Sequence, residues 1–75
     1  MEWQPLKSKM FLSAAHDAEG HTLYLRFRSG DVYRYFGFSA DRYHELLNTE
    51  SHGRYFLNHI RDHFRFERLA KLRIA

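Results

Sequence analysis

The amino-acid sequence predicts an α+β fold: a three-stranded antiparallel β-meander followed by two α-helices packed on one face of the sheet. Three observations predict it. Residues 10–37 fall into three alternating runs separated by short loops, each ending in Gly or its neighbour. Residues 39–63 change to the three-to-four-residue spacing of helices, with Ser39 and Ser51 placed as N-caps. The 75 residues include one Pro and no Cys, so a single modest core must hold the chain without disulfides. One domain spans 1–75, with an irregular N-terminal arm at 1–9, a core at 10–69 and a basic tail at 70–75.

Trp3, Pro5 and Leu6 in the arm show no periodicity. The first strand is read from Met10 to His16, the second from His21 to Phe27 and the third from Asp31 to Gly37. With Asp17 to Gly20 as a four-residue loop, Ala14 lies opposite Leu23, Leu12 opposite Leu25 and Met10 opposite Phe27. Arg28-Ser29-Gly30 fits a three-residue hairpin loop with Gly in the left-handed position, so Leu25 faces Tyr33 and Leu23 faces Tyr35. One face then holds Met10, Leu12, Ala14, Leu23, Leu25, Phe27, Tyr33 and Tyr35, and this is the core face. The other collects Phe11, Ser13, Ala15, Tyr24, Arg26, Val32, Arg34 and Phe36. A one-residue change in loop length would exchange the faces of the third strand.

Ser39 caps the first helix, Phe38 and Tyr43 are spaced as a hydrophobic staple, and Tyr43, Leu46 and Leu47 form its apolar stripe. The second helix starts at Ser51 and runs to about His63. Around it, Gly53, Phe56, Leu57, Ile60 and Phe64 share the arc facing the sheet. Arg54, Asn58 and Arg61, with Arg65 if the helix reaches that far, make a polar stripe on one flank; His52, His59 and His63 make another on the opposite flank. Gly53 either lets the helix approach the sheet closely or opens its first amides to an anion. The closing residues begin with a period-two pair, Phe64 and Phe66, and then fray into the tail.

Net charge is +3, unevenly placed. Residues 1–50 carry six basic and seven acidic side chains, whereas residues 51–75 carry six basic and two acidic. Arginines outnumber lysines nine to three, which suits phosphate because a guanidinium can bind it bidentately. The N-terminus has no apolar run long enough for a signal peptide or membrane span, and a cytoplasmic location is expected. No nucleophile stands beside a base, and no glycine-rich phosphate loop or carboxylate pair occurs, so an enzyme is not expected. His59 and His63, at i and i+4, could share an ion, but His52 would lie about 10 Å along the axis, too far to complete the site. The histidine stripe instead adds positive charge as pH falls below about 6.5. No metal, cofactor or small-molecule substrate is expected.

Two motifs resemble one family. The run of Leu23, Leu25, Phe27, Ser29, Gly30, Tyr33, Tyr35 and Phe36, and the later run of Ser51, Gly53, Arg54, Tyr55, Phe56, Asn58, Ile60 and Arg61, are similar in order and spacing to the KTSC domain. The resemblance covers about residues 8–69. It implies a bacterial protein of a family found free-standing and at the C-terminus of some lysyl-tRNA synthetases, marked by Tyr33-Arg34-Tyr35. RNA binding is the suggested role of a family whose activity is unknown. Lys9 and His16 depart from the family pattern, which usually has Ser and Tyr there.

The expected function is a small non-enzymatic RNA-binding or tRNA-associated accessory module. Tyr24, Arg26, Arg34 and Phe36 place rings among guanidinium groups on one sheet face, the arrangement on which single-stranded bases stack. Tyr33 and Tyr35 are either core residues with hydroxyls at the sheet edge or stacking residues. Arg54, Asn58 and Arg61 could clamp phosphates. The same sheet face would also serve protein–protein contact or homodimerisation, or be covered by Trp3 and Leu6 of the arm.

Overall fold

A computed structural model describes residues 1–71 of the chain. The elements are β1 (Gln4–Pro5), β2 (Phe11–Asp17), β3 (Thr22–Phe27), β4 (Asp31–Phe36), α1 (Ala40–Asn48), α2 (His52–Tyr55) running into a π-helical turn (Phe56–Ile60), and β5 (Phe66–Lys71). The strands form one antiparallel sheet in the order β1-β2-β3-β4-β5, and the helices cover one face. The sheet therefore has five strands where the sequence predicted three. The arm supplies β1, pairing Gln4 with Ala14 and Pro5 with Ser13. The segment expected to fray supplies β5, which pairs Arg34 with Glu67 and Tyr35 with Phe66. Both added strands lie at the sheet edges: β1 is only two residues long, too short to show a period, and β5 pairs with a strand far back in the sequence, Glu67 with Arg34. The tail expected at 70–75 begins inside β5; residues 72–75 lie outside the described residues.

The β3–β4 hairpin has the expected register, with Leu25 opposite Tyr33 and Leu23 opposite Tyr35. Gly30, at φ +100°, closes its turn and donates to the Phe27 carbonyl (3.0 Å), a conformation that glycine adopts without steric cost. The β2–β3 register is offset from the expected one: Ala14 pairs with Leu25 and His16 with Leu23. Asp17 stays in the ladder opposite Thr22, while its carboxylate accepts from the Glu19 and Gly20 amides. His21 turns the chain at φ +50°, so the loop falls one residue later.

An irregularity between Phe11 and Ser13 then moves the side chains of early β2. Phe11, expected outside, is fully buried against Phe27 and Phe56. Leu12, expected in the core, is 40% exposed. A bulge has this effect because one extra residue reverses pleat parity beyond it. Ser8 prepares the entry: its hydroxyl accepts from the Met10 and Phe11 amides at 3.0 and 3.2 Å.

Ser39 and Ser51 cap their helices by accepting from Arg42 and Arg54 amides, each at 3.2 Å. His16 lies against both residues of the expected staple, stacked on Tyr43 (5.1 Å) and edge-on to Phe38 (6.4 Å), and its Nε2 meets the Phe38 carbonyl at 2.7 Å. The second helix ends at Ile60, short of His63, because its last turn widens: the Arg61 amide donates to the Phe56 carbonyl (2.8 Å), five residues back. Between sheet and helices, Leu6, Phe11, Leu23, Leu25, Phe38, Leu46, Phe56 and Ile60 form the core. Each large side chain so buried contributes about 1.5–3 kcal/mol.

Candidate nucleic-acid interface

Pleat parity in the hairpin sends Tyr24, Arg26, Arg34 and Phe36 to the face without helices, since Tyr24 pairs with Arg34 and Arg26 with Val32. Two further residues join them. Trp3, just before β1, sits edge-on to Tyr24 (6.4 Å) and carries the Arg26 guanidinium over its ring at 4.4 Å. Arg65, just before β5, lies 5.6 Å from the Phe36 ring, which Arg34 approaches from its own strand at 5.3 Å. The outcome is a row of rings, Trp3, Tyr24 and Phe36, the first and last of which carry cations over their faces. Of the arm residues expected as a cover, Trp3 does lie on this face, over Arg26 and Tyr24, whereas Leu6 is buried in the core.

Arg34 is the most constrained of these cations. Tyr24 on one side and Glu67 on the other, its Oε1 2.6 Å away, hold the guanidinium pKa above its usual value. Nε of both Arg26 and Arg34 is shielded from solvent and has no hydrogen-bond partner among the described residues.

The other predicted site residues lie elsewhere. Tyr33 and Tyr35 point to the helix side, where Tyr35 is 4% exposed and packs on Phe56, and both rings contact Phe66. Arg61 leaves its predicted stripe: the helix ends before it, and it lines a hollow beside Tyr35. Arg54 and Asn58 remain together on a separate surface with Ser51 and Tyr55. The predicted set thus divides into three places, with the outer sheet face holding four of the nine residues.

Trp3 was expected on this face only as a cover, and Arg65 only as an extension of the helix stripe; neither was expected beside the stacking residues. The signal for Arg65 was present, because the period-two pair Phe64 and Phe66 implies that Arg65 and Glu67 alternate outward. For β1 there was little, since two residues cannot display a period. His59 and His63 share a hollow with Arg42, but His63 follows the helix rather than standing one turn along it. Among the described residues no three His, Asp or Glu side chains converge as metal ligands, and no helix is long and apolar enough to cross a membrane.

Comparison with known proteins gives a consistent family. The KTSC domain model matches residues 7–64. The crystal structure of a KTSC domain protein from Yersinia pestis superposes with a TM-score of 0.89 at 26% identity, covering 92% of this chain and 97% of the other. No curated protein matches.

Proposed function

The chain belongs to the KTSC domain family, and from that footing we propose that it is a non-enzymatic module that binds single-stranded RNA on the outer face of its sheet. The observation supporting this reading is the row of Trp3, Tyr24 and Phe36 rings interleaved with the Arg26, Arg34 and Arg65 guanidinium groups. Bases stack on the rings, each contributing about 1–3 kcal/mol, and the guanidinium groups meet the phosphates between them. Flat rings serve every base, so recognition depends on strand flexibility more than on sequence.

Trp3 is the only tryptophan of the chain and lies on this face, so its fluorescence reports binding directly. Titration with a short unstructured RNA is expected to quench it, with tRNA binding through its single-stranded regions. Three phosphate contacts give a slope of log affinity against log salt of about −2. Phe36→Ala is expected to weaken binding about tenfold, within the range for loss of one stacked base. Absence of quenching at low salt, or a Phe36→Ala affinity equal to that of the native chain, would falsify the reading. Quenching that depends on protein concentration and resists salt identifies self-association through the face instead.

A further inference from the structure

A hollow of about 400 Å³ opens on the helix side of the sheet, at its β4–β5 edge. That volume lies in the range of about 300–1,000 Å³ typical of small-ligand sites. Phe27, Tyr33, Tyr35, Phe56 and Phe66 line it. The Tyr33 and Tyr35 rings are near-parallel, 22° apart with centroids at 6.3 Å, and Phe66 leans on both while remaining 58% exposed. A large ring left open at the mouth of a hollow is an unfilled contact.

The polar groups of the hollow are unfilled too. The Tyr35 side chain is almost wholly buried, but its hydroxyl makes no hydrogen bond to a described residue and keeps contact with solvent. Burial, with the neighbouring Tyr33, raises its pKa well above the usual value, so it keeps its proton and can donate. The Arg61 guanidinium makes neither an ion pair nor a hydrogen bond with a described residue. Asp31, also on the rim, is engaged by Arg68 at 3.2 Å, which leaves Arg61 and Asp62 as the charges available to a ligand.

The backbone brings those two there at a cost. The π-helical turn ends at Ile60, Arg61 swings to ψ 131°, and Asp62 takes the left-handed region at φ +67°. Such turns are rare, and they concentrate at functional sites along with strained residues.

We propose that this hollow is a nucleotide-binding site: a base seats among Tyr33, Tyr35 and Phe66, its phosphate meets Arg61, and Asp62 accepts from N–H groups on the base edge. Aromatic walls select a flat ring. A guanidinium and a phenol hydroxyl together favour an acceptor-rich anion, and the nearby carboxylate favours a ring edge that also donates. A nucleotide carries all three features, whereas an aromatic carboxylate would leave Asp62 without a donor. The nucleotide is either free or an unpaired unit of an RNA strand. None of these residues lies on the outer sheet face, so either site can fail alone.

Calorimetric titration with AMP, GMP, CMP and UMP, and with the four nucleosides, tests the assignment. At least one monophosphate is expected to bind with one-to-one stoichiometry. Arg61→Gln should weaken it tenfold or more, by roughly the loss of one hydrogen bond to a charged group, and should leave the nucleoside nearly unaffected. Tyr35→Phe should weaken it about fivefold while the melting temperature is kept, and Phe36→Ala should change nothing. A short RNA that displaces the monophosphate assigns the strand as the source; an RNA that does not compete assigns a free nucleotide. No binding of any monophosphate at millimolar concentration, or equal affinity in native, Arg61→Gln and Tyr35→Phe proteins, overturns the proposal.

Discussion

Tyr24, Arg34 and Glu67 stand side by side across β3, β4 and β5, and the acid partly cancels a charge that an RNA phosphate would use. An exposed pair of this kind contributes little to stability, because water screens it and two long side chains must be immobilised. Glu67→Gln is therefore expected to leave the melting temperature nearly unchanged and to raise RNA affinity. A lowered affinity would mean that Glu67 orients Arg34 rather than competing for it. Three tyrosines give a second test at this scale. Desolvation raises Tyr35 and Tyr43, and desolvation followed by the Glu45 hydrogen bond (2.7 Å) pushes Tyr55 up to about 12. A phenol whose folded pKa is raised stabilises the fold fully below its unfolded value near 10 and loses that contribution as pH rises through the folded value. Stability is thus expected to fall from about pH 10 upward, with tyrosinate absorbance appearing together with unfolding; full ionisation of all five tyrosines in a still-folded chain would contradict this.

The β2 bulge and the π-helical turn are two places where an element departs from its ideal repeat, as the β4–β5 ladder also does between Val32 and Tyr33, and each of the two redirects a side chain that matters. Phe11 enters the core and Leu12 leaves it. Phe11→Ala is expected to cost about 3–5 kcal/mol in urea unfolding, as for other buried Phe truncations, and Leu12→Ala less than about 1 kcal/mol. Equal costs would place the bulge elsewhere. Gly53 gives a contrary case. The sequence suggested that it lets the helix approach the sheet, yet an added Cβ would meet only Met10 Cε at 3.7 Å, an ordinary contact. Gly53→Ala is accordingly expected to stabilise the protein by about 0.5–1 kcal/mol through helix propensity. The caps at Ser39 and Ser51 were legible because capping is decided within four residues. The rotation of Arg61 out of its stripe was not, since a 100° wheel assumes every turn has the α repeat.

Across the whole molecule, the sheet is polarised: helices and core on one side, rings and guanidinium groups on the other. β5 joins the two, because Phe66 leans on Tyr33 and Tyr35 on the helix side while Glu67 holds Arg34 on the outer side. Deleting residues 66–75 is expected to expose the β4 edge together with these tyrosines, and an unpaired edge beside apolar rings invites association. Sedimentation should show the shortened chain as aggregated or unfolded; a stable monomer with the native melting temperature would show that β5 is dispensable. The chain also commits its one strongly basic segment, residues 51–75, to both surfaces: Arg65 to the outer face and Arg61 to the hollow.

By itself the sequence determined the β3–β4 register, the faces of that hairpin and the starts of both helices, because turn geometry, pleat parity and capping act over a few neighbouring residues. Tertiary structure alone decided that residues 4–5 and 66–71 are strands, that Phe11 turns inward and that Arg61 lines one hollow with Tyr35. Each of these depends on a partner far along the chain, on a broken repeat or on a strand too short to show one, and alternation of residue types carries no record of any of them.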